Sequence, residues 1–172
     1  DTLRVRVTRQ SKNAIWADPV EVLTPSPHRV EAGCKVFGKC GGCGWLHFAY
    51  PAQAEWKQRI VRDALERIGG ISMDINWLED PSLRLGYRTR AELHGDGDSL
   101  GFYAARTHDV VDVRQCPLCH PRINDALPAL RDAGIKGSVT VTVNPEGEEV
   151  LVWTRFVKRA LKDRFPMADT PK

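Results

Sequence analysis

Nowhere in the 172 residues does an apolar stretch approach the roughly 20 needed to span a bilayer, which argues against a membrane-spanning helix. No internal repeat is present, so stacked-repeat architectures are set aside. Charge of one sign is also in short supply. With 25 Lys and Arg against 22 Asp and Glu the net charge is +3, which permits an anionic partner without demanding one. No signal-peptide pattern precedes Asp1, and five cysteines is an odd number. A reducing, cytoplasmic setting is therefore expected rather than a secreted disulfide framework. Asp1 is not an initiator methionine and the next residues already read as a strand, so the chain is expected to be part of something longer. What it does have is 42% hydrophobic residues, enough for one sizeable core with room for a small satellite domain.

The cysteines carry the strongest signal. Cys34, Cys40 and Cys43 fall in Cys34-x5-Cys40-Gly-Gly-Cys43, and Cys116 and Cys119 fall much later in Cys116-Pro-Leu-Cys119. A Cys-Gly-Gly-Cys turn lets two sulfurs face one small volume, because the glycines allow the backbone to wrap without a side-chain clash. Two metal readings follow. Cys34, Cys40, Cys43 and Cys116 could hold a [4Fe-4S] cluster, which accepts irregular ligand spacing with one remote thiolate. Cys40, Cys43, Cys116 and Cys119 could instead form a zinc ribbon, at the expense of a long gap between its knuckles. Reduced structural cysteines or disulfides are the third possibility.

Along the chain, Leu3, Val5 and Val7 alternate with Arg4, Arg6 and Thr8, and residues 14–23 give a second strand-like run. Two or three strands are marginal alone, so they are expected to belong to a partly missing barrel. Thr24-Pro-Ser-Pro-His28 is a stiff connection into the cysteines. Pro51 opens a helix whose apolar stripe is Trp56, Ile60, Ala64 and Ile68, with Val61 and Leu65 beside it, and Gly69-Gly70 closes it. The second half reads as mostly β: residues 87–93, 100–104 and 110–113, then a short helix from Pro121 to Ala133 interrupted or bent at Pro128, then a hairpin of 138–143 with 149–156. The five tryptophans are expected in the core or shielding the cysteines. The stretch Arg155–Arg164, with five basic residues and one acidic, reads as a solvated helix or linker. The fold class is thus α+β: an antiparallel β-rich central domain with one long amphipathic helix, preceded by a barrel remnant.

Candidate RNA contacts are Arg4 and Arg6 on the first strand, Tyr87 framed by Arg88 and Arg90, and Phe102 with His108 across a hairpin. They combine phosphate-pairing charge with rings able to stack on unpaired bases. A solvated sheet face accounts equally well for Arg88 and Arg90, and a core position accounts better than stacking for Tyr87 and Phe102.

Several ordered motifs together resemble one family. The cysteine run is followed by Leu46-His47, Tyr50, Gln53 and Lys57, then by Arg67-Ile68-Gly69. Next come Tyr87-Arg88-x-Arg90, Leu100-Gly101-Phe102, and Thr107-His108-x-Val110-Val111-Asp112 leading to Cys116-Pro117-Leu118. This order is similar to the RNA uracil-5 methyltransferases, and most of all to the bacterial 23S ribosomal RNA enzymes. Glu21 to Arg29 resembles the end of the TRAM RNA-binding barrel, an OB-like β-barrel found in many members. The match runs from about residue 3 to about residue 153.

The resemblance implies a [4Fe-4S] cluster on Cys34, Cys40, Cys43 and Cys116, with Cys119 a bystander, and RNA, ribosomal in kind, as the partner. It implies domains at 1–30 (end of a TRAM-like barrel), 31–157 (iron-sulfur, RNA-recognition domain) and 158–172 (basic linker or tail). In this family a Cys nucleophile and a Glu base methylate uracil C5 from S-adenosylmethionine, in a C-terminal Rossmann-like domain. The chain shows no glycine-rich strand-to-helix turn, no nucleophile motif and too few residues after its last hairpin for a doubly wound sheet. The expectation is therefore a cluster-bearing RNA-recognition portion that does not catalyse alone. A stand-alone zinc-ribbon nucleic-acid-binding module is the alternative. Departures from the family's habit are Thr89, Gly44, Leu46 and the pair Cys119-His120.

Overall fold

The computed structural model describes residues 1–155 and 159–166. The chain separates into two compact units, Asp1–Ala32 with His47–Ile75, and Gly33–Leu46 with Asn76–Lys172. Among the described residues no helix is long and apolar enough to cross a membrane.

In the first unit, β1 (Thr2–Gln10) pairs antiparallel with β2 (Ile15–Thr24). The alternation that predicts β1 is real, but the register slips between Thr2 and Leu3, Arg4 and Val5, and Val7 and Arg9. The side chains stay exposed, Val5 at 47% and Val7 at 54%. The foot of the hairpin is tied by Asp1, whose carboxylate accepts from the Ser26 amide at 2.8 Å and from Arg29. Residues 28–30 then run antiparallel to 47–49, with Val30 N–H donating to His47 O and Ala49 N–H to His28 O.

Helix α1 (Tyr50–Gly69) begins as expected, with proline in its first turn, where the missing N–H costs nothing. It ends in a left-handed Gly70 (φ 63°) whose amide reaches Glu66 O, while Ile71 reaches Leu65 O. Its apolar stripe is not the core contact that periodicity suggests. Only Ala52 is buried, whereas Trp56, Ile60, Val61 and Ile68 remain exposed, Ile68 at 85%. Trp16 is likewise open, with the Arg9 guanidinium 4.7 Å from its ring centroid.

The second unit is an antiparallel sheet ordered β5-β4-β3-β6-β7, formed by β3 (Arg90–Asp96), β4 (Leu100–Tyr103), β5 (Val110–Asp112), β6 (Lys136–Val143) and β7 (Val150–Thr154). The α+β class is therefore observed. Strict alternation puts Ala91, Leu93, Val139, Val141, Val143 and Val152 on one face, where α2 (Pro121–Asp132) adds Ile123, Leu127 and Leu130. Leu161, from the helical turn α3 (Arg159–Lys162), is also fully buried there. The β7 edge is capped when Val152 N–H donates to Pro166 O at 3.1 Å.

The structure differs from the sequence reading at four places, and for the first two the physical cause is visible. Strand β3 starts at Arg90 rather than residue 87, because Arg88 bridges in parallel to Cys119 instead of joining the antiparallel ladder. Helix α2 continues through Pro128 without a break. Flanking Leu127 and Leu130 are both in the core, so packing outweighs the lost backbone bond. Four of the tryptophans, Trp16, Trp45, Trp56 and Trp77, are at least 36% exposed, and only Trp153 is half-buried. Within the segment read as a basic tail, residues 159–166 fold back on the sheet, while 158 and 167–172 lie outside the described residues, as does Phe156 of the expected last strand.

Candidate metal centre

The loop carrying the first three cysteines is wound by its own backbone. Phe37 N–H donates to Cys34 O, Lys39 and Cys40 N–H both reach Val36 O, and Gly38 (φ 85°) lets the chain reverse. The Cys-Gly-Gly-Cys turn is then docked on the end of β4: Cys40 bridges to Ala104, and Gly41 N–H donates to Tyr103 O at 2.9 Å. A Cβ at Gly41 would come within 2.9 Å of that same carbonyl, so this close approach requires glycine. Gly42 N–H points at Cys40 Sγ, 3.4 Å away.

The later cysteines are set by α2. Asn124 Oδ1 accepts from Cys116 N–H at 2.8 Å, and Asn124 Nδ2 donates to Cys116 O at 3.0 Å and Cys119 O at 3.3 Å. Cys119 N–H closes the turn on Cys116 O. His120 caps α2, its Nδ1 accepting from Arg122 N–H at 3.3 Å, which fixes its ring at the helix end.

Cys34, Cys40, Cys43 and Cys116 line one narrow cavity. Its walls are apolar, from Val36, Phe37, Phe102 and Val113 among others, and it has no carboxylate or imidazole in its lining. Cys119, 3% exposed, is packed in the core behind Cys116 rather than in the lining. Among the described residues no three His, Cys, Asp or Glu side chains stand close enough to hold a single metal ion. A sulfur-only donor set in an apolar pocket suits a soft group bound by thiolates.

The thiols differ in acidity. Burial pushes Cys40 and Cys43 up. Cys116 is brought down to about 6, first by the hydrogen bond from the Cys119 side chain and then, against burial, by the Leu118 and Cys119 amides and the Arg88 charge. The same Cys119–Cys116 hydrogen bond, with burial, drives Cys119 up. The hydrogen bond thus makes Cys116 the more acidic thiol of the pair.

The candidate RNA residues are dispersed. Arg4 forms an ion pair with Glu21, and Arg6 sits opposite Asp18 on the exposed hairpin. Tyr87 is 49% exposed, and Arg90 opens β3 with its side chain exposed. Phe102 is half-buried and packs against the core. His108 meets Tyr103 edge-on at 5.1 Å, and Tyr103 is itself stacked on His94 at 3.7 Å. Arg88 faces the cysteine cavity, its Nη2 donating to Gly42 O at 3.1 Å. Sequence reasoning did not find the Asn124 clamp, because a single asparagine four residues into a helix carries no pattern.

No family model matches the chain. It is 36% identical over 140 residues to an uncharacterised RNA methyltransferase of Thermosynechococcus vestitus, covering 77% of this chain and 31% of the relative. It is 34% identical over 167 residues to the 23S rRNA (uracil(1939)-C(5))-methyltransferase RlmD of Aromatoleum aromaticum, covering 94% of this chain and 38% of that one. Among solved structures, the tRNA (uracil-54, C5)-methyltransferase of Pyrococcus abyssi, crystallised with S-adenosyl-L-homocysteine, shares the fold at a TM-score of 0.58 and 24% identity, over 87% of this chain and 37% of that one. The chain spans about a third of the length of the curated relatives it matches. It belongs, over that third, to the RNA methyltransferase family that includes the 23S rRNA uracil-C5 enzymes.

Proposed function

We propose that this chain is the cluster-bearing RNA-recognition portion of an S-adenosylmethionine-dependent rRNA (uracil-C5) methyltransferase, with Cys34, Cys40, Cys43 and Cys116 holding a [4Fe-4S] cluster. The observation that carries this reading is the shared cavity, onto which these four thiols open from two segments far apart in sequence. A mononuclear zinc site would need every sulfur about 2.3 Å from one ion. A cluster spreads its thiolates over separate irons, which suits four thiols that line one cavity.

When bound, the cluster supplies covalent cross-linking between the two segments, since methylation of uracil C5 moves no net electrons. The remaining work belongs to the chain. Asn124 presents the backbone on either side of Cys116, the Gly41 amide seats the other ligand turn on β4, and the apolar walls keep water from the sulfurs. The Cys119 hydrogen bond favours the anionic, ligating form of the Cys116 sulfur.

RNA is the partner in this reading, supported by the names of the relatives. Arg4, Arg6 and Arg90 would meet phosphates and Tyr87 an unpaired base, with His108 at the rim. Residues 1–30 would be the end of a TRAM-like barrel, 31–157 the central domain and 158–172 a linker. Cofactor use and methyl transfer would belong to a Rossmann-like domain outside these residues.

The test is anaerobic purification followed by metal analysis and a visible spectrum. About four irons and four sulfides per chain with absorption near 400 nm are expected. One colourless zinc per chain would overturn the cluster and support the zinc-ribbon alternative.

A further inference from the structure

Arg88 joins the two segments that carry the thiols. Its backbone is held by the later one, with Arg88 N–H donating to Leu118 O at 2.8 Å and its carbonyl accepting from His120 N–H at 2.9 Å. Its side chain reaches the earlier one, where Nη2 donates to Gly42 O inside the Cys-Gly-Gly-Cys turn. On the way the guanidinium passes 5.8 Å from the centroid of the Phe102 ring, and it contributes to the lining of the cavity. Among the described residues no carboxylate pairs with it. A half-buried cation without an acidic partner is costly, and proteins do not normally leave one uncompensated. Here the groups around the cavity are thiols, which become anionic on binding a metal.

We infer that Arg88 is the counter-cation and strap of the cluster: its fork fixes the Gly42 carbonyl, its backbone fixes the Cys116–Cys119 turn, and its charge offsets that of the thiolate-bound group. This rests on the cluster reading above and assigns Arg88 a role distinct from phosphate binding. Two consequences follow. A fixed positive charge beside an iron-sulfur group favours its more negative, reduced state, so Arg88 raises the reduction potential. Joining both ligand segments through one side chain slows opening of the shell, so Arg88 also retards loss of iron.

The experiment uses the full chain, purified anaerobically, as wild type, Arg88→Gln and Arg88→Lys. Iron and sulfide per chain, bleaching near 400 nm under excess chelator, the midpoint potential from a dye-mediated titration, and affinity for a uridine-containing single-stranded RNA are measured. Arg88→Gln is expected to bleach about tenfold faster, the lower end of what outer-shell partners contribute to metal sites, with a more negative midpoint. Arg88→Lys should keep the midpoint near that of wild type, because the charge remains, while bleaching faster, because the planar fork is gone. If Arg88→Gln assembles no cluster, a wild-type midpoint with fast bleaching in Arg88→Lys supports the assignment. Unchanged bleaching and midpoint in both variants, or a loss of RNA affinity with an unaltered cluster, would overturn it. Wild type that contains no iron would overturn the cluster reading itself, and that result is distinct because it appears before any substitution is made.

Discussion

Cys119 is 3% exposed and hydrogen-bonded to its neighbour, which raises its own pKa and lowers that of Cys116. Its value lies in what it does to Cys116. Cys119→Ser retains a donor and should retain full iron, whereas Cys34→Ser or Cys116→Ser should lose the cluster and the visible band; equal loss in all three would point to a different ligand set. Asn124 offers a sharper contrast, because one amide makes three backbone hydrogen bonds around Cys116. Asn124→Ala strands those half-buried groups, and a destabilisation of about 1–3 kcal/mol is expected in urea titrations. The cysteines were legible in the sequence because thiols in a Cys-Gly-Gly-Cys turn have few other uses. Asn124 was not, since its partners are backbone atoms that no pattern marks. Arg88 was visible as a basic residue, but alternation cannot tell a side chain that meets phosphate from one that meets a carbonyl 46 residues away in sequence.

Helix α2 tolerates a proline in its interior, and the price is one backbone hydrogen bond. Pro128→Ala restores an N–H and should stabilise the second unit, by about 1 kcal/mol after allowing for the freer unfolded chain, read as a rise in melting temperature. The sheet carries its own pH response. Burial alone would raise the Asp112 pKa, but the Leu100 amide and the hydrogen-bonded Arg131 guanidinium outweigh it and hold the carboxyl below its usual value. A depressed carboxylate contributes stability above its unfolded pKa of about 3.9 and loses it as pH falls through the folded value. Asp112→Asn should therefore flatten the acid limb of stability below about pH 4, measured by thermal melts across that range. Because Asp112 is partly solvated, the effect is small. At this scale the sequence was a good guide to which segments form strands and helices, since period-2 and period-3.6 patterns are local. Boundaries were poorer: residues 87–89 alternate like a strand yet are held by a bridge to Cys119.

Taken as a whole, the molecule divides its apolar residues unevenly. The second unit buries Leu93, Leu100, Ile123, Leu130, Val139, Val141 and Val152, while the first leaves most of β1, β2 and the α1 stripe in contact with solvent. Amphipathic periodicity records that a face is apolar, not what covers it, which explains why the α1 helix was read correctly and its burial was not. Exposed apolar area of this extent promotes association. The chain should self-associate in a concentration-dependent way in sedimentation velocity, and Ile60→Glu with Ile68→Glu should reduce this while leaving the second unit's melting unchanged, since both positions are solvent-facing in α1.

The separation of the thiols along the chain also couples metal capture to folding. Cys34, Cys40 and Cys43 belong to one loop, whereas Cys116 lies beyond β3, β4 and β5 and is held at the cavity by Asn124 of α2. Complete capture of the metal would thus bring the two segments together and contribute to assembly of the sheet between them.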